Sequence, residues 1–296
     1  MAKQTRPIAG RVVAITGGAR GIGKATATEL IRRGARVAIG DLDLDLAEKT
    51  AAELGGGAVA IGLDVTNRES FAAFLDETER QLGPLDVLIN NAGIMPIGRF
   101  VEEDDLTAKR MIDINLHGVI FGTKLALERM EPRNSGHIVN LASQAGKAGF
   151  PGGATYCATK HAVVGLSEAI RAELDGTDIG VSVVMPGIVN TELALGLVQA
   201  RGVKSVEPSE VAEAIAEALE TGRFEVWIPR STKAINTVLT LVPRRGREGL
   251  ARLLKADKVL AEADPTARAD YERRASESEP GLEPEDATGA KAGAKK

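Results

Sequence analysis

The sequence RVVAITGGARGIGKATATEL (residues 11–30) joins an apolar run of strand length to a stretch of helical periodicity through a glycine-rich turn. Gly17, Gly21 and Gly23 of this turn lack a Cβ, so the turn can be tight and a phosphate can approach the backbone closely. The start of the following helix offers free N–H groups and a positive dipole end. At a first strand-to-helix turn, this pattern predicts an α/β fold that binds a dinucleotide. A glycine-rich turn without a ligand is the alternative.

The alternation of strand and helix continues to about residue 229. Apolar runs of strand length are separated by stretches of helix length, and runs that are apolar almost throughout indicate a parallel sheet covered on both faces. We therefore predict a doubly wound, seven-stranded parallel sheet in a single domain, residues 8–229. The later strands are RVAIG (36–40), AVAIGLDV (58–65), DVLINNAG (86–93), HIVNLAS (137–143), GVSVVMPG (180–187) and FEVWIP (224–229).

Composition excludes several classes of protein. The chain has 296 residues, 44% of them hydrophobic, which is enough for a sizeable core. A net charge of −4 gives no indication of a nucleic-acid partner. One cysteine and three histidines exclude a disulfide framework and argue against a metal site. The polar start MAKQTRPIAGR shows no signal peptide, and no apolar run reaches the roughly 18 residues of a membrane span, so we expect a soluble cytoplasmic protein.

The pattern changes after residue 230. Residues 233–258 carry seven Lys/Arg against two acidic residues, and apolar residues recur there at helical spacing. We predict a basic amphipathic helical appendix over residues 230–263, docked on its own protein or a neighbouring subunit. Peripheral contact with an anionic membrane is the alternative. Residues 264–296 are rich in Ala, Glu, Pro, Gly, Ser and Lys, so we predict a disordered tail.

Two acidic residues end strands at positions where a dinucleotide fold contacts its ligand. Asp41 follows the turn by about 20 residues, where a carboxylate can accept hydrogen bonds from ribose hydroxyls and would repel a 2′-phosphate. Arg20 could bind such a phosphate, or could simply pair with the acid. We favour NAD over NADP. Asp64 and Val65 are expected at the adenine edge. Each acid could instead be the N-cap of the next helix.

Tyr156 and Lys160 stand four residues apart in ATYCATKHAVVGLSEAIRAEL, which reads as a helix, and therefore share one face. A free phenol has a pKa near 10, and a nearby ammonium group lowers that pKa, which makes the phenol a usable acid or base. A tyrosine on an apolar face with a surface lysine one turn away is the alternative. Ser143 ends the fifth strand at the sheet edge where α/β proteins bind ligands, and could also merely cap a loop.

Together these motifs resemble the single-domain branch of the short-chain dehydrogenase/reductase family. The resemblance covers roughly residues 8–229 and includes the loop spacing G-x-x-x-G-x-G. It implies a Rossmann sheet and an NAD(P)-dependent oxidoreductase that interconverts an alcohol and a carbonyl compound. The motifs are TGGARGIG (16–23), NNAG (90–93), Ser143, Tyr156-x-x-x-Lys160 and PGIVNT (186–191).

The resemblance also implies a role for each matching residue. Tyr156 would be the proton donor or acceptor, Lys160 would lower its pKa and hold the nicotinamide ribose, Ser143 would polarise the substrate oxygen, and Asn115 would hold a relay water. The residues expected at the cofactor are Gly17, Arg20, Gly21, Ile22, Gly23, Asp41, Asp64, Val65, Asn91, Ala92, Gly93, Tyr156, Lys160, Pro186, Gly187, Ile188 and Thr191.

The segment TELALGLVQARG (191–202) lies where the family closes over its substrate, and it is apolar. We therefore expect a bulky apolar alcohol or ketone, such as a steroid, a terpenoid or a lipid-derived compound. The expected neighbours are Ile94, Met95, Ile97, Phe150, Leu193, Leu195, Leu197 and Val198. A homotetramer or homodimer through residues 104–130 and 153–175 is implied by the resemblance alone. A non-catalytic dinucleotide sensor on the same fold, and an epimerase or dehydratase, remain as rival functions.

Overall fold

A computed structural model describes residues 6–198 and 204–277. Its sheet has seven parallel strands in the order β3-β2-β1-β4-β5-β6-β7, which confirms the predicted doubly wound sheet. The strands are β1 (Val12–Thr16), β2 (Arg36–Asp41), β3 (Ala58–Gly62), β4 (Val87–Asn90), β5 (Gly136–Leu141), β6 (Ile179–Pro186) and β7 (Glu225–Ile228). The order reverses between β1 and β4, so the carboxyl ends of these two strands flank the crevice where doubly wound sheets bind ligands.

The helices cover both faces of the sheet. Those crossing it are α1 (Gly21–Arg32), α2 (Leu44–Leu54), α3 (Arg68–Leu82), α4 (Asp105–Ile112), α5 (Gly118–Met130), α6 (Ala154–Glu173) and α7 (Pro208–Thr221). Helices α1, α2 and α7 share one apolar core with the sheet, and α3, α5 and α6 share the other. Alternate residues of β1 serve both layers: Val13 and Ile15 enter the first core and Ala14 the second.

A π-helical segment, Asp113–His117, joins α4 to α5. The stretch DLTAKRMIDINLHGVIFGTKLALERM (105–130) is of helix length in the sequence, and the structure divides it here. Isolated π-helical turns inside α-helices are frequent at functional sites. The interruption carries Asn115, one of the predicted catalytic residues.

Three helices follow the last strand: α8 (Ser231–Leu241), α9 (Arg244–Leu253) and α10 (Pro265–Glu277). The predicted disorder is wrong for residues 264–277, because Arg268 and Tyr271 of α10 bury their side chains against the domain. Composition alone could not show those contacts. Residues 278–296 of the predicted tail lie outside the described residues.

The helical appendix is present, but its predicted docking is only partial. Leu239, Val242 and Leu254 are half-buried, whereas Val238 is 61% exposed and Leu241 83% exposed. Within the described ranges, no helix combines the length and apolarity needed to cross a bilayer.

Candidate active site

The glycine turn is held tightly at the carboxyl end of β1. Gly17 has a φ of +63°, which favours glycine, and a Cβ on Gly23 would lie 2.2 Å from the Gly17 carbonyl oxygen. The Asn91 amide donates to the carbonyl oxygens of Thr16 and Gly17, both at 2.9 Å. The turn therefore has a fixed shape, and its open side faces the crevice above β1 and β4.

Asp41 lies beside this turn and keeps its carboxylate clear of the nearby guanidinium. It accepts hydrogen bonds from the N–H groups of Ala19 (3.0 Å) and Asp43 (3.2 Å), while burial raises its pKa. Arg20 instead forms an ion pair with Asp43 at 2.7 Å. Asp43 is also the N-cap of α2 and accepts from the Leu46 N–H at 3.1 Å. Because Asp43 performs the capping, the Asp41 carboxylate stays available to a ligand.

Asp64 lines the same crevice and has one carboxylate oxygen without a hydrogen-bond partner among the described residues. Its Oδ1 accepts hydrogen bonds from the N–H and hydroxyl groups of Thr66, at 2.9 and 2.7 Å. Its Oδ2 is buried and has no hydrogen-bond partner among residues 6–198 and 204–277. A buried acceptor of this kind fits a ligand donor, such as the exocyclic amine of adenine. The cap of α3 is Asn67, which accepts from the Ser70 N–H at 2.9 Å, so the capping alternative for Asp64 is wrong.

These groups line one cavity of about 610 Å³, within the range of small-molecule sites. Six of the predicted cofactor residues lie outside this cavity, and one of them, Gly23, stands behind the turn. The predicted residues that line the large cavity are Gly17, Arg20, Gly21, Ile22, Asp41, Asp64, Val65, Asn91, Ala92, Gly93 and Thr191. The other five line a second cavity, namely Tyr156, Lys160, Pro186, Gly187 and Ile188. The two cavities share Ile22, Asn91, Gly93, Thr191 and Leu193.

Tyr156 and Lys160 share a face near the start of α6, as the spacing predicted, and both are buried. Lys160 Nζ lies 5.7 Å from the Tyr156 ring centroid and donates to the Leu141 carbonyl at 2.8 Å. Burial lowers the pKa of Lys160 to about 8. Burial also raises the pKa of Tyr156 to about 12, although a hydrogen bond with the Ser143 side chain acts in the opposite direction.

In the protein alone, burial raises the pKa of Tyr156, and the lowering of that pKa by Lys160 stays a prediction. Removing the phenol from water disfavours phenolate, and this effect outweighs the favourable interactions around Tyr156. The geometry is nevertheless suited to proton transfer, because a phenol, a serine hydroxyl and an amine of lowered pKa lie together at the carboxyl ends of the strands. A positive charge brought next to the phenol would favour its ionised form.

Asn115 lies behind the lysine and is fully buried in the π-helical segment. Its Oδ1 accepts from the Ile94 N–H, and its Nδ2 donates to the Ile94 carbonyl, both at 2.8 Å. A Cβ on Gly93 would lie 3.1 Å from Asn115 Oδ1 and 3.6 Å from Lys160 Nζ. Asn115 therefore fixes the segment after β4 next to the lysine, and its role in holding a relay water stays a prediction.

Comparisons with known proteins agree with this geometry. The family model described as short chain dehydrogenase matches residues 11–201, which is more than half of the chain. The chain belongs to the short-chain dehydrogenase family. A relative in Xanthobacter autotrophicus, 2-(S)-hydroxypropyl-CoM dehydrogenase 3, is 43% identical over 61% of this chain and 72% of its own length. Sorbitol dehydrogenase of Cereibacter sphaeroides is 40% identical over 62% of this chain and 72% of its own length.

A solved structure is also similar. It is a short-chain dehydrogenase/reductase from Burkholderia phymatum in complex with NAD. The TM-score is 0.73 at 26% sequence identity, and the match covers 78% of this chain and 93% of that one. Family membership makes this chain an oxidoreductase and confirms the resemblance noted in its sequence.

The second cavity of this short-chain dehydrogenase, about 330 Å³, has Ser143 and Tyr156 in a largely apolar wall. Several of the predicted substrate neighbours do line it: Met95, Phe150, Leu193 and Leu197. Leu195 does not line this cavity and is 46% exposed. The sequence did not indicate the side chains that the appendix contributes, namely Thr232, Ile235, Asn236, Leu239, Leu254, Ala256, Val259 and Leu260.

Helix α10 is the main part of the site that sequence reasoning missed. Tyr271, Arg274 and Ala275 line the large cavity opposite the glycine turn. Two signals in the sequence point to this helix. Asp264 precedes Pro265 as an N-cap residue precedes proline at the first helical position, and Arg268, Tyr271 and Ala275 recur at helical spacing.

Proposed function

We propose that this short-chain dehydrogenase transfers a hydride between NAD and a bulky apolar alcohol or ketone. One observation carries the proposal. The glycine turn and Asp41 line one cavity, Ser143 and Tyr156 line the other, and the two cavities share wall residues. A dinucleotide in the first cavity can therefore present its reactive end to a substrate in the second.

The residues of the large cavity fit NAD. The N-terminus of α1 suits a pyrophosphate, because its first N–H groups have no partner within the helix. The Asp41 carboxylate suits the adenosine ribose, and the unsatisfied Asp64 Oδ2 suits the adenine amine. We favour NAD over NADP because Arg20 is engaged by Asp43, and Asp41 would repel a 2′-phosphate.

Bound NAD would accept the hydride from the carbinol carbon and would bring a positive charge into the site. Ser143 donates a hydrogen bond to the substrate oxygen, and Tyr156 as phenolate removes the proton of the alcohol hydroxyl. Lys160 can change its charge close to neutral pH, because its pKa is about 8. It therefore suits a relay that carries the proton away from Tyr156. In the reverse direction, Tyr156 returns the proton to the carbonyl oxygen.

The wall around Ser143 and Tyr156 supports an apolar substrate. Most of the side chains that line this cavity are aliphatic or aromatic, from both the loop after β6 and the C-terminal appendix. A polar substrate would leave its hydroxyl groups without partners against that wall, which costs free energy for each group. Apolar contact area can instead contribute to binding throughout the cavity.

Steady-state assays with matched alcohols and ketones test this proposal. Steroid, terpenoid and long-chain secondary alcohols would be compared with sorbitol and 2-propanol, using the absorbance of NADH or NADPH. We expect the apolar compounds to give kcat/KM at least about 100-fold above the polar ones, and NAD to be preferred over NADP. Preference for sorbitol would contradict the proposed apolar substrate, and preference for NADPH would contradict NAD as the proposed cofactor. NADH binding without turnover of any compound would favour the rival function, a dinucleotide sensor.

A further inference from the structure

Helix α10 is anchored by buried polar contacts. The Arg268 guanidinium is almost completely buried and donates to three carbonyl oxygens, those of Leu193 (2.9 Å), Leu195 (3.0 Å) and Met95 (2.8 Å). The Tyr271 hydroxyl accepts a hydrogen bond from the Met95 N–H at 2.7 Å. These contacts tie α10 to the segments after β4 and after β6, which border the cofactor cavity. The helix therefore has a fixed position beside that cavity.

The next turn of α10 brings a second arginine to the cavity wall. Arg274 donates to Glu192 Oε2 at 2.8 Å, and Arg20 of the glycine turn approaches the same oxygen at 3.6 Å. A Cβ on Gly21 would lie 3.5 Å from Thr191 Cγ2, so the residue before Glu192 touches the first turn of α1. Two guanidinium groups thus converge on one carboxylate beside a helix N-terminus.

In this arrangement, Arg274 can exchange the Glu192 carboxylate for a ligand phosphate. The Glu192 side chain is 52% exposed and can turn towards solvent, which would leave Arg274 facing the cavity while Arg20 keeps its ion pair with Asp43. A carboxylate kept at this place would repel a phosphate, whereas Arg274 would form charge-assisted hydrogen bonds with the phosphate. The positive end of α1 favours the same ligand group.

We propose that Arg274 of α10 is a ligand of the dinucleotide pyrophosphate, and that it exchanges Glu192 for a phosphate oxygen when the cofactor binds. This inference rests on the proposed function and adds to it a cofactor contact from beyond the segment that the family model matches, residues 11–201. Helix α10 is then one wall of the cofactor site.

Binding measurements with Arg274→Gln test the proposal without relying on turnover. NADH is titrated by its fluorescence, and ADP and adenosine by calorimetry. We expect Arg274→Gln to weaken NADH and ADP about tenfold, which corresponds to about 1.4 kcal/mol, and to leave adenosine within about twofold. Glu192→Gln removes the competing anion and should strengthen ADP binding about threefold.

The matched control is Arg273→Gln. Arg273 lies next to Arg274 on the same helix, is 61% exposed and pairs with Asp270 at 2.8 Å, so all three ligands should bind within about twofold of wild type. If wild type binds ADP and NADH, and Arg274→Gln matches Arg273→Gln, the role of Arg274 is overturned and the proposed function stands. If wild type binds neither ADP nor NADH, the role of Arg274 and the proposed function are both contradicted.

A second observation concerns the surface of α8 and α9. Large apolar side chains project there into solvent: Ile235 (52% exposed), Val238 (61%), Leu241 (83%) and Leu253 (67%). Four cations accompany them and form no ion pair within the described part of the chain, namely Arg245, Arg247, Arg252 and Lys255. We call this set the α8–α9 surface.

Its charge favours an anionic lipid bilayer over a second copy of the chain. A two-fold symmetric contact would place the α8–α9 surface against itself and set its cations together. An anionic membrane would instead attract those cations and receive the apolar side chains. The substrate cavity is lined by Ile235 and Leu239 of the same helix, so a bilayer here would lie next to one wall of that cavity.

We infer that the α8–α9 surface docks on anionic membranes. Full-length protein is sedimented with phosphatidylcholine vesicles that contain or lack phosphatidylserine. Wild type should sediment only with the anionic vesicles, and added salt should release it. The variant Val238→Ser/Leu241→Ser, and separately Arg245→Glu, should lower the vesicle-bound fraction more than about fivefold.

The matched control is Val101→Ser, because Val101 is 79% exposed on another surface. This variant should sediment as wild type does. Equal sedimentation of wild type and Val238→Ser/Leu241→Ser would overturn the inference. So would a wild type that ignores vesicles and forms an oligomer that the double variant dissociates in sedimentation velocity, since the surface would then be a subunit interface.

Discussion

The chain contains two tyrosines, Tyr156 and Tyr271, and the two phenols have different neighbours. The neighbours of Tyr156 suit proton transfer, whereas those of Tyr271 hold a helix in place. Burial raises the pKa of both hydroxyl groups. Tyr156 faces the Ser143 hydroxyl and stands 5.7 Å from the Lys160 amine, in a cavity open to a substrate. Tyr271 instead receives the Met95 N–H, and the Arg268 guanidinium lies 5.0 Å from its ring.

The comparison shows that burial of a phenol does not by itself indicate acid–base catalysis. A catalytic phenol needs a second group that contacts the same substrate oxygen and a group that can accept its proton. In the proposed reaction, Ser143 and Lys160 have these two roles beside Tyr156. The Tyr271 hydroxyl is hydrogen-bonded to a backbone N–H group, and this hydrogen bond helps to hold α10 in position. The predictions below test this division between the two regions.

The largest contrast should appear between Ser143→Ala and Tyr271→Phe. Removing the Ser143 hydroxyl should lower kcat/KM about 100-fold or more, because in the proposed reaction this hydroxyl polarises the reacting oxygen. Tyr271→Phe keeps the aromatic ring and should leave kcat/KM within about threefold, while it lowers stability by roughly 1–3 kcal/mol by leaving the Met95 N–H unpaired. Steady-state kinetics and thermal unfolding measure the two effects. A Tyr271→Phe enzyme as slow as Ser143→Ala would remove the distinction.

Arg268→Met should release α10 from the domain. The change leaves three carbonyl acceptors without their donor, so the free energy of detaching the helix should fall by about 3 kcal/mol. Hydrogen exchange in residues 265–277 should then accelerate roughly 100-fold, while β1 amides keep their protection. Arg273→Met, on the exposed side, should change exchange by less than about threefold. Equal exchange in the two variants would show that Arg268 does not anchor the helix.

The buried Lys160 amine should lower the free energy of unfolding, by an amount that depends on pH. Because its pKa in the folded state is about 8, below the ordinary value of 10.5, the unfolded chain binds this proton more tightly. The cost is fully present below pH 8 and is lost as pH rises to about 10.5, and its size is on the order of 3 kcal/mol. Lys160→Met should therefore be more stable than wild type at pH 7, by about 1 kcal/mol after loss of the hydrogen bond to Leu141.

Denaturant unfolding of both proteins at pH 7 and pH 10 measures this effect. The advantage of Lys160→Met should shrink or reverse at the higher pH, although the variant should be nearly inactive at both. A difference in stability that is independent of pH would show that the amine keeps its ordinary pKa in the fold.

The sheet and the placement of Tyr156 and Lys160 on one face of α6 could be predicted from the sequence, because both depend on local patterns. Apolar strands between helices have few alternative arrangements, and a spacing of four residues places Tyr156 and Lys160 on one helical face. The placement of Asp41 beside the turn follows from the order of the strands. The sequence could not show that Arg20 pairs with Asp43 and not with Asp41, because this choice of partner is made only in the folded chain.

The site formed by α10 could not be read from composition. Residues after 264 are polar on average, and what holds the helix is a few well-placed contacts at Arg268 and Tyr271. The same limit applies to the pKa of Tyr156, since a positive neighbour in sequence does not reveal how much water the fold removes from the phenol.

The central claim is that Tyr156 exchanges a proton with substrate beside bound NAD, and Tyr156→Phe tests it most directly. NADH binding by fluorescence and turnover of the best substrate from the panel are measured on the same preparation. We predict unchanged NADH affinity, within about twofold, and a turnover lowered about 1,000-fold. A Tyr156→Phe protein that binds NADH normally and turns over at the wild-type rate would contradict the account.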